Sequence, residues 1–113
     1  MKIQHPLHKN ATLNYASPNT PENCVFVRGR VRGPILRLPE VWKEFVNLST
    51  ITVHLTPIGA NQNVSVKRIQ ENEVYLQTNG IPVDCYYLVF AERRDVPKLE
   101  VEQSIDTEQE EAV

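Results

Sequence analysis

Three histidines, an aspartate beside a cysteine, and three arginines at alternate positions are the residues of this 113-residue chain whose types and spacing could support chemistry. His5 and His8 form an HxxH pair, but no acidic or cysteine partner lies near them in sequence, and a polar terminal segment is a poor frame for tetrahedral metal geometry. Two solvated histidines are the expectation there. His54 stands between threonines in "TVHLT". It could act as a general base toward Asp84 or Cys85, but a histidine without an assigned partner makes no triad. An outward-facing strand residue is the plainer expectation. The chain has no Walker loop, dinucleotide fingerprint, HExxH, CxxC or nucleophile elbow. We expect no catalytic set, no cofactor and no metal.

The arginines are more informative. In "VFVRGRVRG" an extended chain places Val25, Val27 and Val31 on one side and Arg28, Arg30 and Arg32 on the other. Three guanidinium groups on one face could hold phosphates, a glycan carboxylate, or acids of a neighbouring chain; a solvated face is the plain alternative. Nucleic acid ranks last among the partners, because no aromatic stacking platform accompanies the arginines. Tyr86 and Tyr87 are adjacent, so a strand sends them to opposite faces, one toward a core and one toward an interface. Trp42, with Phe45, reads as a core plug.

These residues need a frame, and the frame reads as all-β. Residues 1–22 are polar, with three prolines and no periodicity, which predicts an extended arm. "NCVFVRGRVRG" is a strand, broken at Gly33-Pro34, and "ILRLP" is a short second one. "PEVWKEFVNL" is the one helix-like segment, with Pro39 and Glu40 suited to its start and Val41, Trp42, Phe45 and Val46 at helical spacing. "STITVHLTP" alternates cleanly, "NVSVKRI" and "EVYLQT" flank a tight Glu71-Asn72 connection, and Asn79-Gly80 marks another turn. "VDCYYLVFAERR" is apolar on both faces from Cys85 to Ala91, so both faces should be covered. The second cover must be another sheet, the Trp42 segment or another subunit. Leu99 and Val101 could add an edge strand. The expected architecture is a small β-sandwich or barrel-like domain over residues 23–102, with one short helical turn, an arm at 1–22 and an acidic tail at 103–113.

Composition limits the function classes. Hydrophobic content is 41% and no apolar run nears the ~18 residues of a membrane helix. "MKIQHPLHKN" has no apolar signal core, so synthesis in a cytosol is expected. There Cys24 and Cys85 should be small buried hydrophobes, not a disulfide. The net charge of −2 divides into +1 for residues 1–22, +3 for 23–94 and −6 for 95–113. A basic body with an acidic tail is not a nucleic-acid-binding profile, but it lets the tail meet a neighbouring subunit's basic face.

From about Asn23 to Glu102 the order "VFVRGRV", "LPEVWKEFVN", "TVHLTPIG", "VSVKRIQENEVYL" and an apolar strand ending in "AERRDV" resembles a β-rich module of virion structural proteins of tailed phages, notably cyanophage-type tail-fibre proteins. The resemblance implies a non-enzymatic structural role in the virion after synthesis in the host cytoplasm. It implies homotrimers along a fibre axis and contacts with other virion proteins, and it carries no catalytic residues. The chain lacks a collagen-like or coiled-coil shaft and a self-cleaving chaperone domain. A fibre tip, a fibre adaptor or a capsid decoration protein are the forms it could take, with a host-glycan-binding module as the alternative. Arg28, Arg30, Arg32, Trp42, Tyr87 and Phe90 are the expected subunit or partner contacts. Trp42, Tyr87, Val89 and Phe90 are expected to be buried within or between subunits.

Overall fold

The structure, a computed structural model, describes residues 2–15, 20–97 and 101. It is an all-β domain. Eight strands run in chain order: β1 Lys2–Gln4, β2 Thr12–Asn14, β3 Cys24–Arg32, β4 Ile35–Arg37, β5 Thr52–Pro57, β6 Ser65–Gln70, β7 Glu73–Gln77 and β8 Asp84–Glu92. A single α-turn, α1 Trp42–Phe45, and a 3₁₀ turn, Leu48–Thr50, lie between β4 and β5.

The body consists of two antiparallel three-stranded sheets, β3-β8-β5 and β4-β7-β6. The chain changes sheets four times: at Gly33-Pro34, between Arg37 and Thr52, between Pro57 and Ser65, and between Gln77 and Asp84, stretches that hold most of the prolines and glycines of the body. Alternation decides what lies between the sheets. Val25, Val31, Cys85, Val89 and Ala91 from the first sheet meet Leu36, Val74 and Leu76 from the second, and all are buried. Trp42, Phe45 and Val46 fill the same core. Trp42 is 1% exposed, and its indole N–H finds no acceptor among the described residues. Cys24 and Cys85 are buried and unpaired. Burial, with the nearby Asp84 charge second, pushes the Cys85 thiol up.

The β6–β7 hairpin turns through Glu71-Asn72, with Gln70 opposite Glu73 and Glu71 at φ 53°. A bulge between Val66 and Arg68 breaks its register. The segment read as a strand from Ser49 starts instead at Thr52. The Asn47 carboxamide accepts from the Ser49 backbone N–H and hydroxyl, and Thr50 donates its hydroxyl to the Asn47 carbonyl. This local competition winds Leu48–Thr50 into a 3₁₀ turn despite its alternating pattern.

Within the expected N-terminal arm, β1 and β2 form a hairpin with Ile3 opposite Leu13. Ile3 is buried, and Tyr15 sets its ring edge-on to Phe45 at 5.8 Å. Residues this polar carry no hairpin signature; the pairing depends on a few contacts with the body. Val101 is exposed and lies in no strand, while Leu99 and the acidic segment 103–113 lie outside the described residues.

The "AERRDV" end of β8 is fastened on three sides. Arg93 makes a bidentate pair with Asp95, 2.8 and 2.9 Å, and lies over the Phe45 ring. Arg94 donates to the carbonyls of Lys43 and Glu44 and to the Glu44 carboxylate. It thereby satisfies backbone acceptors that so short a helix leaves open. The Arg93 backbone N–H reaches the Asn23 carbonyl at 2.7 Å.

Candidate functional site

The face of β3-β8-β5 that points away from the core carries four of the six expected contact residues, Arg28, Arg30, Arg32 and Phe90. Register fixes its layout. Phe26, Phe90 and Thr52 form one row, Arg28, Leu88 and His54 the next, and Arg30, Tyr86 and Thr56 a third. Arg32 stands opposite Asp84 beyond them. Side chains in one row are neighbours on one face. The result is an apolar ribbon along β8, bordered by arginines on β3 and by threonines and a histidine on β5.

This ribbon is uncovered. Tyr86 is 55% and Phe26 49% exposed, and Leu88 and Phe90 are half-buried. Phe26 and Phe90 touch each other with ring centroids 5.5 Å apart, and His54 lies edge-on to Phe90 at 6.1 Å. Neither the second sheet nor the Trp42 segment covers it, since both pack on the opposite, buried face. Among the described residues nothing covers these outward apolar side chains.

The arginines are not equivalent. Arg30 grips Asp84 with two parallel bonds, Nε to Oδ1 and Nη2 to Oδ2, both 2.9 Å. This hydrogen bonding, chiefly, lowers the Asp84 carboxyl below its ordinary range and raises the Arg30 guanidinium. Arg32 reaches Asp84 only at 3.8 Å and is 69% exposed at its side chain. Arg28 makes no ion pair among the described residues. Arg28, Gly29, Arg30, Tyr86 and Tyr87 line a groove of about 410 Å³.

The other expected residues separate. Trp42 and Val89 are core, and Tyr87 is half-buried beneath β3 against Gly29. Phe90 is part of the exposed ribbon. Sequence reading passed over Phe26 and Leu88, although the apolar-on-both-faces pattern of β8 and the parity of Phe26 with Arg28 contain that signal. His54 and Cys85 lie on opposite faces of the sheet, one outward and one in the core, so they form no base–nucleophile pair. Asp84 shares the outer face with His54, but four strand residues, about 13 Å, separate it from His54's partner Leu88, and Arg30 already occupies its carboxylate. His5 turns its Nδ1 to accept from the Leu7 and His8 backbone N–H groups at 3.1 Å, which makes it a turn cap. Among the described residues no three His, Cys, Asp or Glu side chains are placed to hold a metal, and no helix is long and apolar enough to cross a membrane.

The polar stretch after β5 is also accounted for by structure. The Gln62 carboxamide donates to the carbonyls of Ile58 and Asp84 and accepts from the Asp84 backbone N–H at 3.2 Å. It clips the connection to the start of β8.

Comparison of the chain with protein-family models, curated proteins and solved structures found no match.

Proposed function

We propose that this chain is a non-enzymatic structural module of a tailed-phage virion, fibre-associated or an adaptor, that assembles by subunit contacts through the outer face of β3-β8-β5. The observation that carries the assembly reading is the ribbon of Tyr86, Leu88 and Phe90 on the central strand β8, with Phe26 beside it on β3, which no described residue covers. Full burial of one such side chain contributes about 1.5–3 kcal/mol, so covering several offsets much of the entropic cost of association. A domain this small gains from added contact area. The phage assignment and the homotrimer rest on the ordered sequence resemblance alone.

Static light scattering on the full chain at micromolar concentration tests the reading. A mass about three times that of the monomer is expected, falling to monomer in Leu88→Glu and Phe90→Glu variants whose thermal melts are unchanged. A stable native monomer, together with absence of the protein from purified particles by mass spectrometry, overturns it.

A second reading is favoured by the groove at Arg28, Gly29, Arg30, Tyr86 and Tyr87. A guanidinium beside the exposed Tyr86 phenol ring suits a carboxylated host glycan. Under this reading Arg28→Ala abolishes glycan-array binding and leaves the mass of the native particle unchanged.

A further inference from the structure

We propose that the acidic segment 102–113 of one copy lies on the arginine-bordered outer face of β3-β8-β5 in a neighbouring copy; this rests on the assembly reading above. The face and the segment complement each other. Residues 102–113 contain five acids, Glu102, Asp106, Glu108, Glu110 and Glu111, and no base. The face offers Arg28, without an ion pair among the described residues, and Arg32, at 3.8 Å from a carboxylate that Arg30 already holds bidentately. Carboxylates of an incoming chain supply what these two guanidinium groups lack. Ile105, set among the acids, gives the segment an apolar side chain for the Phe26–Leu88–Phe90 ribbon.

Face-to-face packing of two identical outer sheets serves the arginines less well, because it brings only Asp84, already held by Arg30, and Glu92, whereas the segment brings five carboxylates. Of the other described acids, Glu44 pairs with Arg94, Glu71 with Lys43, Glu73 with Arg37 and Asp95 with Arg93, while Glu22, Glu40 and Glu92 make no ion pair among the described residues. Residues 102–113 hold the densest run of acids in the chain.

Reach permits the contact. The Pro97 carbonyl accepts from the Asn23 side chain, which holds the chain beside the start of β3. The 16 residues from 98 to 113 can span up to ~50 Å when extended, against ~30 Å for the length of β3. The segment can thus pass beyond its own sheet to the next copy's. Such a contact joins two different patches, and under cyclic symmetry it closes into a ring.

Charge-swapped full chains test the proposal. One variant carries Arg28→Glu and Arg32→Glu; the other carries Glu102→Lys, Asp106→Lys, Glu108→Lys and Glu110→Lys. All these positions are exposed or outside the described body, and circular dichroism checks that both chains fold. Each variant alone should associate at least about tenfold more weakly than the native chain at 50 mM salt. A single chain carrying both sets of substitutions should recover the native mass, because each basic segment then meets an acidic face on the next copy whatever the number of copies in the ring. Native-like assembly of both variants alone overturns the proposal and leaves the assembly reading standing. Two weakened variants whose substitutions, combined in one chain, do not restore assembly also overturn it. A native chain that is itself monomeric overturns the assembly reading and this proposal together.

Discussion

The Tyr87 ring lies against the backbone of Gly29, directly opposite it in the β3–β8 ladder, so that a β-carbon on Gly29 would sit 2.7 Å from the phenol oxygen and 2.9 Å from Cζ. An aromatic side chain laid over a strand glycine covers backbone that would otherwise be wet. It also makes the pair interdependent. Gly29→Ala should destabilise the domain by about 1–3 kcal/mol through overpacking. In a Tyr87→Phe background the nearest contact is gone and part of that loss should be recovered. A double-mutant cycle in urea checks this, with a coupling of about 0.5 kcal/mol or more expected for residues in contact.

Trp42 fills the core but leaves its indole N–H without a described acceptor. The two properties pull apart under mutation. Trp42→Ala should cost about 3–5 kcal/mol as a large cavity. Trp42→Phe loses some volume and also removes a buried donor whose desolvation costs about 1–3 kcal/mol. The phenylalanine variant should therefore melt far closer to the native chain than the alanine variant does. Differential scanning calorimetry separates them.

The Arg30–Asp84 pair sets an acid dependence. Asp84 is lowered in the folded chain mainly by its hydrogen bonds from Arg30, with the charges of Arg30 and Arg32 assisting. A group lowered on folding contributes stability above its unfolded pKa, about 3.9, and loses it as pH falls through the lower folded value. Stability should therefore drop below about pH 4, and Asp84→Asn should flatten that part of the curve. Thermal melts between pH 7 and pH 2 check the sign; a parallel acid limb in the variant contradicts it. Solvent exposure keeps the effect small.

Glu71 occupies a left-handed backbone position, φ 53°, in the β6–β7 turn. Glycine adopts such a position without the steric cost a side chain pays. Glu71→Gly should raise stability by about 0.5–1 kcal/mol, with the 3.8 Å Lys43 contact adding little in opposition. Chemical denaturation with an unchanged m-value is the expected signature.

The parts of this molecule legible in its sequence are those set by local alternation. β8 reads as apolar on both faces from Cys85 to Ala91, and β3 reads as valines against arginines; both patterns appear in the fold as a buried and an outer face. Glu71-Asn72 and Gly80 fall in the expected turns. Arg30 finding Asp84 was not legible, because it joins residues 54 apart and depends on register. Nor was the division between Leu48–Thr50 and β5, where a side-chain acceptor on Asn47 outweighs the strand pattern. The β1–β2 hairpin escaped notice because three-residue polar strands lack periodicity to read.

The Gln62 carboxamide, bonded to both the N–H and the carbonyl of Asp84, has a consequence for how the chain turns the corner between sheets. A primary amide offers the same donor and acceptor as a peptide group, so one side chain stands in for one missing rung of ladder. β5 can therefore stop at Pro57 and release the backbone toward β6 while the first residue of β8 keeps its partners. The corner is sealed by imitation: the Asp84 N–H, which β5 no longer reaches, is met by a side-chain amide instead.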